Sequence, residues 1–318
     1  MLPITPADVR AAALRIRPLA RRTPVLNSPD FDEATRVRTF FKCENLQTGG
    51  AFKIRGASNL ILSLPAEELR RGVVAYSSGN HAIAVAIAAR HVGATTTIVM
   101  PADAPRSKLD ATRAHGARVV LYDRLHESRE QVAARIIEET GATLIPPFDH
   151  PMIMAGQGTA ALELLEETPD LDAFIAPVGG GGLLSGCATI GRDLRPAIRM
   201  FGVEPEDGND TCLSLQAGDR KWIPMPRTIA DGLRAQQPGV LTFAVLRERV
   251  EGIVLVNDDE IRAAVRFLLA HLKVLVEPSG AVGAAALLFH KLPADIERAG
   301  VILSGGNVDL DQLANCAS

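Results

Sequence analysis

Residues 50–56 read GAFKIRG, setting Lys53 between Phe52 and Arg55 and between two glycines where a helix starts. A solvent-facing lysine needs no such surroundings; a lysine that must reach a carbonyl carbon and lose its charge does. Residues 177–186, PVGGGGLLSG, run from the apolar strand AFIAPV through Gly179, Gly180, Gly181 and Gly182 into a helix. Glycines leave nothing between the main-chain N–H groups and a ligand, and a helix N-terminus adds its dipole, so this stretch suits a phosphate. A tight turn alone needs one or two glycines. Two other phosphate motifs do not fit: Leu184 or Ser185 stands where G-x-G-x-x-G needs its third glycine, and Cys187 replaces the P-loop lysine.

Residues 77–82, SSGNHA, follow another strand and open another helix. N-capping explains one serine or the asparagine, not the whole set, and a small carboxylate held by these N–H groups accounts for the rest. ILSGGN (302–307) ends a buried strand at Ser304, which alone reads as a turn residue. VEPEDGND (203–210) alone reads as a solvated acidic loop. There is no H-E-x-x-H, no G-x-S-x-G and no cluster of histidines and cysteines. A phosphate cradle, a carboxylate cradle and a distinguished lysine together point to pyridoxal 5′-phosphate, which carries a phosphate, an aldehyde that condenses with lysine, and a ring nitrogen needing a partner.

The elements that must position these groups alternate. Continuous apolar runs at 72–78, 95–101, 117–123, 173–178, 199–205, 252–256 and 300–306 are separated by helical patterns, which argues for mostly parallel sheets flanked by helices, an α/β fold. Proline interruptions at LIPPFDHP (144–151) and near Leu64–Pro65 divide the chain into a large domain, 1–66 with 151–318, and a smaller α/β domain, 67–150, with the ligand cleft between them. Residues 224–243 lack periodicity and read as a long ordered loop. The 318 residues are 47% hydrophobic, with a formal charge of −3 and no apolar run of membrane length, which gives no support to a nucleic-acid or membrane partner. Four separated cysteines and an N-terminus without signal-peptide order read as reduced thiols in a soluble cytoplasmic protein.

The motifs GAFKIRGA, SSGNHA, AGQGTAALE, GGGGL, GVEP, TIADG, VEPSGAVG and SGGN occur in this order along nearly the whole chain. In this it resembles the two-domain, fold-type II (tryptophan synthase β-like) PLP enzymes, specifically the serine/threonine dehydratase and serine racemase group. The resemblance implies that Lys53 forms the Schiff base, Phe52 packs on the cofactor ring, Asn80 bonds the ring oxygen, Gly179 to Gly182 hold the phosphate, Ser304 faces the ring nitrogen and Glu277 lies nearby. It implies that Ser77 and Ser78, with Gly79, Asn80 and His81, hold the substrate carboxylate, and that Arg129 reaches it when the small domain closes. It implies a divalent cation, Mg²⁺ or else Ca²⁺ or Mn²⁺, on Glu204, the Gly208 carbonyl and Asp210, and a homodimer.

The expected reaction is loss of water from a small-molecule hydroxy amino acid such as L-threonine or L-serine, giving a 2-keto acid and ammonia, with Lys53 as base and Arg55 helping to lower its pKa. Alternatives are serine racemase, for which Ser78 is the opposite-face acid, 3-hydroxyaspartate dehydratase, and a non-catalytic PLP or amino-acid binding protein, against which Lys53 itself counts. Two departures stand out. Ala51 replaces the serine many relatives carry, and the chain ends about ten residues after SGGNVDL, so no regulatory domain and no isoleucine feedback are expected.

Overall fold

Each of the seven apolar runs becomes a strand. The computed structural model describes residues 2–104 and 106–317. Among them the strands are β1 (Val25–Leu26), β2 (Arg38–Lys42), β3 (Val73–Tyr76), β4 (Thr96–Pro101), β5 (Arg118–Tyr122), β6 (Thr143–Leu144), β7 (Ala173–Pro177), β8 (Arg199–Pro205), β9 (Gly252–Val256) and β10 (Arg298–Ile302). One sheet has the order β1-β2-β10-β7-β8-β9 and the other β5-β4-β3-β6. Every pairing is parallel except that of the edge strand β1 with β2. Strand β7, AFIAP, is buried at every position, as expected for a parallel strand with helices on both faces.

Strands β1, β2 and β6 lie outside the seven apolar runs read from the sequence. β2, RTFFK, is short and carries charge at both ends, yet four of its five residues are buried beside β10, because Lys42 finds partners inside the protein. The stretch 224–243 is irregular as far as Gly239 except for a single turn at Asp231–Leu233, and the Val240–Arg249 helix takes up its last residues. That helix begins because the Asp149 carboxylate accepts from the N–H groups of Val240, Leu241 and Thr242 at 2.9, 2.8 and 3.1 Å.

All strands of the second sheet fall within 73–144. Its apolar core also takes Ile54, Ala57, Leu60 and Ile61 from the Lys53–Ile61 helix and Ile153 from the Pro151–Glu167 helix. The lysine-bearing helix therefore packs into the core of the second sheet and against the Pro151–Glu167 helix. The four cysteines are free and buried, and among the described residues no helix is long and apolar enough to cross a membrane.

Candidate active site

Strands β3, β7 and β10 all deliver their C-terminal ends to one cleft, a cavity of about 430 Å³. Ser77–Gly79 follow β3, Gly179–Gly182 follow β7 and Ser304 follows β10, and all of them line it with Phe52, Lys53, Asn80, His81, Arg129 and Glu277. Ligand sites at strand C-termini are the rule in open α/β sheets, because helix N-termini collect there.

Main-chain bonds stitch the motifs together. The Phe52 N–H donates to the Ser304 carbonyl at 3.0 Å, the Gly306 N–H to the Gly50 carbonyl at 2.9 Å, and the Glu277 N–H to the Gly305 carbonyl at 3.0 Å. Asn307 donates from its side-chain amide to the carbonyl of Gly49 at 2.8 Å and to the Asn80 side chain at 2.9 Å. Lys53 is thus fixed at its base by the SGGN segment, while its Nζ donates to the Pro147 carbonyl at 2.8 Å and lies 5.2 Å from the Phe52 ring centroid.

Burial lowers the Lys53 amine to about 8, against the pull of Glu277. Arg55 has no part in this. Its guanidinium points away from Lys53, forking onto Glu44 at 2.7 and 2.8 Å and onto Glu163 at 2.8 Å. Burial would raise Glu44, yet the Arg55 charge holds it below the usual carboxylate range. Arg55 is a neutralised structural cation, so the expectation that it depresses the lysine is corrected. Glu277 is pushed up to about 8 by burial and then by Asp231, although Asn80 donates to it.

The glycine loop has the geometry of an anion cradle. Gly181 caps the Gly182–Leu194 helix at φ +90°, a conformation that favours glycine. A Cβ on Gly180 would stand 2.3 Å from a Phe148 ring carbon, so the Phe148 ring lies against the loop where only glycine leaves it room. The four glycines add no side chain of their own between the cavity and the orphan N–H groups of that helix. At the SSGN turn the Gly79 N–H donates to Ser77 Oγ at 3.3 Å. The His81 ring is buried, with Nε2 bonded to the Ile145 carbonyl at 2.9 Å and its pKa driven down to about 3 by burial. The carboxylate-binding expectation for His81 thus reduces to its main-chain N–H.

Glu204, Gly208 and Asp210 are separate from this cavity wall and are not a surface turn. Glu204 is fully buried and accepts from the N–H groups of Thr211 and Cys212 at 3.1 and 2.9 Å. Both Asp210 carboxylate oxygens are buried without a hydrogen-bond partner. Burial raises both acids, Asp210 to about 7. Among the described residues no three His, Cys, Asp or Glu side chains converge on a metal position; the third oxygen of the expected set is a main-chain carbonyl.

Sequence reasoning missed several lining residues: Tyr76, Lys108, Phe148, Asp231 and Arg234. The motif TIADG contains Asp231, which pairs with Lys108 across the cleft. Arg129 stacks at 5.2 Å over the Tyr76 ring at the mouth.

The family model for pyridoxal-phosphate dependent enzymes matches residues 16–305. An L-threo-3-hydroxyaspartate ammonia-lyase of a Pseudomonas species is 48% identical over 97% of this chain and 97% of its own length. A serine racemase of Schizosaccharomyces pombe is 45% identical over 98% of this chain and 96% of its own. The structure of maize serine racemase superposes with a TM-score of 0.95 at 44% identity, covering 98% of this chain and 96% of that one. Lysine, glycine loop and strand ends coincide with a match that spans most of the sequence, and the chain belongs to the pyridoxal-phosphate dependent enzymes.

Proposed function

We propose that the enzyme eliminates water from a β-hydroxy amino acid and releases a 2-keto acid and ammonia. The observation that carries this reading is Lys53, an amine lowered to about 8 that lines the same cavity as the glycine loop. The residues fit the cofactor: the open N–H groups at Gly179–Gly182 suit its phosphate, Lys53 its aldehyde, and Ser304 its ring nitrogen. When bound, pyridoxal phosphate takes up the substrate amine and draws electrons from Cα.

The Ser77–His81 turn holds the α-carboxylate on its N–H groups, and Arg129 waits at the mouth. Lys53, with its pKa near the working range, has a substantial neutral fraction and accepts the Cα proton. The Cα–H electrons form the Cα–Cβ double bond while the Cβ–O bond breaks. The hydroxyl leaves as water, and the proton taken from Cα balances the one it needs. The released enamine tautomerises and takes up one water, giving keto acid and ammonia. A serine hydroxyl at Ser304, unlike a carboxylate, does not hold a positive charge on the ring nitrogen. It therefore favours expelling charge with the leaving group over storing it.

Racemisation is the second reading. The serine racemase relatives favour it, and Ser78 in the cavity wall is the residue that would return a proton on the opposite face. Glu204, Asp210 and the Gly208 carbonyl would hold a divalent cation, Mg²⁺ or with looser geometry Ca²⁺ or Mn²⁺. The unpartnered, buried Asp210 oxygens support that reading. The ion would brace the loop behind the cradle. The 67–150 segment is the part we propose to move in closure.

The test is the purified enzyme loaded with pyridoxal phosphate and offered L-serine, L-threonine and 3-hydroxyaspartate. Keto acid is expected from at least one of them, with a shift of the cofactor band near ~410 nm. A spectral shift with neither keto acid nor D-amino acid would reduce the protein to a binder.

A further inference from the structure

The cleft carries more positive charge than the reaction consumes. Lys53, Lys108, Arg129 and Arg234 all line it. Lys53 is committed to the chemistry, Lys108 is paired with Asp231, and Arg129 Nε donates to Glu130 at 2.8 Å. Arg234 differs from all three. Its Nε donates to the carbonyl of Thr228 at 3.1 Å, Nη2 uses the same oxygen, and among the described residues it makes no ion pair. Both Nη1 hydrogens and one on Nη2 therefore have no carboxylate.

Arg234 is also held in place. Thr228, whose carbonyl it grips, donates its hydroxyl to Asp258 at 2.6 Å, and the Ile229 N–H bonds the same carboxylate at 3.1 and 3.2 Å. Further along the loop, the Gly232 N–H donates to Ser279 Oγ at 2.9 Å. A guanidinium anchored through one edge presents its other edge as a preformed fork for a carboxylate. Of the acids lining the cleft, Asp231 is paired with Lys108, and burial pushes Glu277 up to about 8, toward its neutral form. The phosphate has the glycine N–H groups at Gly179–Gly182, so it does not require the arginine. The α-carboxylate turn follows β3 of one sheet, whereas Arg234 sits on the loop between β8 and β9 of the other. Both walls line the same cavity.

We infer that Arg234 is a specificity-determining residue that receives a second carboxylate, so the site prefers dicarboxylic β-hydroxy amino acids of the 3-hydroxyaspartate type over serine and threonine. This rests on the elimination reading above. A hydrogen bond to a charged group contributes about 1.5–3 kcal/mol, which sets the scale of the effect at roughly tenfold to a hundredfold.

The experiment compares holoenzyme, Arg234→Met and Arg234→Lys on L-threo-3-hydroxyaspartate and L-serine. The ratio of kcat/KM for hydroxyaspartate over serine is expected to fall about tenfold or more in Arg234→Met, through KM, and to recover in part in Arg234→Lys. In parallel, L-aspartate, which has both carboxylates and no leaving hydroxyl, is expected to raise the melting temperature of the holoenzyme more than L-alanine does. Arg234→Met is expected to lose that difference. An unchanged ratio, or an equal loss on both substrates with weaker retention of pyridoxal phosphate, overturns the inference; the latter result assigns Arg234 to the cofactor. Turnover of serine with indifference to both dicarboxylates overturns it while leaving the elimination reading intact. Absence of keto acid from every substrate overturns the elimination reading, and the L-aspartate melting difference then still decides on Arg234.

Discussion

The side-chain amide of Asn80 donates to the carboxyl of Glu277 at 2.7 Å, joining the first residue of the Asn80–His91 helix to the N-cap of the Pro278–Leu288 helix. The bond runs between the walls built on the two sheets, and Asn307 closes it from the other side of Asn80. It places a carboxyl that burial has pushed up to about 8 within reach of the Lys53 charge.

Glu277 should make stability depend on pH in a defined direction. Its folded pKa of about 8 lies above the ordinary 4.5, so the folded protein keeps a proton that the unfolded chain releases. Its stabilising contribution is full below about 4.5 and is lost as pH rises through about 8. Between pH 5 and pH 8 the wild-type apoprotein is expected to lose more melting temperature than Glu277→Gln does, by ~2 °C or more. Parallel melting curves for the two proteins across that range would show that Glu277 titrates normally.

Lys53→Ala is expected to remove turnover while the fold survives. Loss of a positioned proton-transfer group alone costs about 10²–10⁴-fold in rate. The cofactor band near ~410 nm should also disappear, because the amine that condenses with the aldehyde is gone. Keto-acid production within tenfold of wild type, in a variant with an unchanged circular dichroism spectrum, would sink the assignment.

Ser78→Ala separates two roles of the SSGN turn. As an opposite-face acid alone, Ser78 is needed for conversion of L-serine to D-serine and not for elimination, so the ratio of D-serine to pyruvate should drop at least tenfold. A fall in both products together, with a raised KM, would instead make the hydroxyl part of carboxylate binding. Arg129→Ala should raise KM for either outcome, and an unchanged KM would remove Arg129 from the substrate.

For the cation, EDTA treatment is expected to lower melting temperature and turnover together, and Mg²⁺ to restore both. Asp210→Asn should abolish the response, since its carboxylate oxygens are the buried ones without partners. Insensitivity of the wild type to EDTA and to Mg²⁺ would mean that the pair is satisfied by protonation instead.

Legibility in the sequence followed how much of each motif is local. Four consecutive glycines after an apolar strand and before a helix can be read from ten residues, because strand, turn and helix dipole lie next to one another. Lys53 was marked by its immediate neighbours. Phe148 and Arg234 were not legible: Phe148 meets the glycine loop only across more than thirty residues, at Gly180, and Arg234 grips the nearby Thr228 carbonyl in a loop that the distant Asp258 anchors. Arg55 was misread because adjacency in a helix places the next-but-one side chain on a different face. Burial of the acidic loop was hidden for a similar reason. Glu206 and Asp207 are exposed, while Glu204 and Asp210 on either side turn inward.

The fully buried Arg55 guanidinium, with Glu44, Glu163 and Lys42, acts as a register lock on the central sheet. Lys42 ends β2 opposite Ile302 of β10 and reaches Glu163 at 2.7 Å and the Thr23 carbonyl at 2.6 Å. A one-residue slip of β2 would send the Lys42 side chain to the opposite face, stranding a charge on each side of the sheet. Breaking such a buried set by removing one partner costs about 3–5 kcal/mol. Misaligned pairings of the short RTFFK strand are thereby penalised far more than its two phenylalanines alone would allow. The helix that presents Lys53 is in this way aligned with the strand end that presents Ser304 before any ligand arrives.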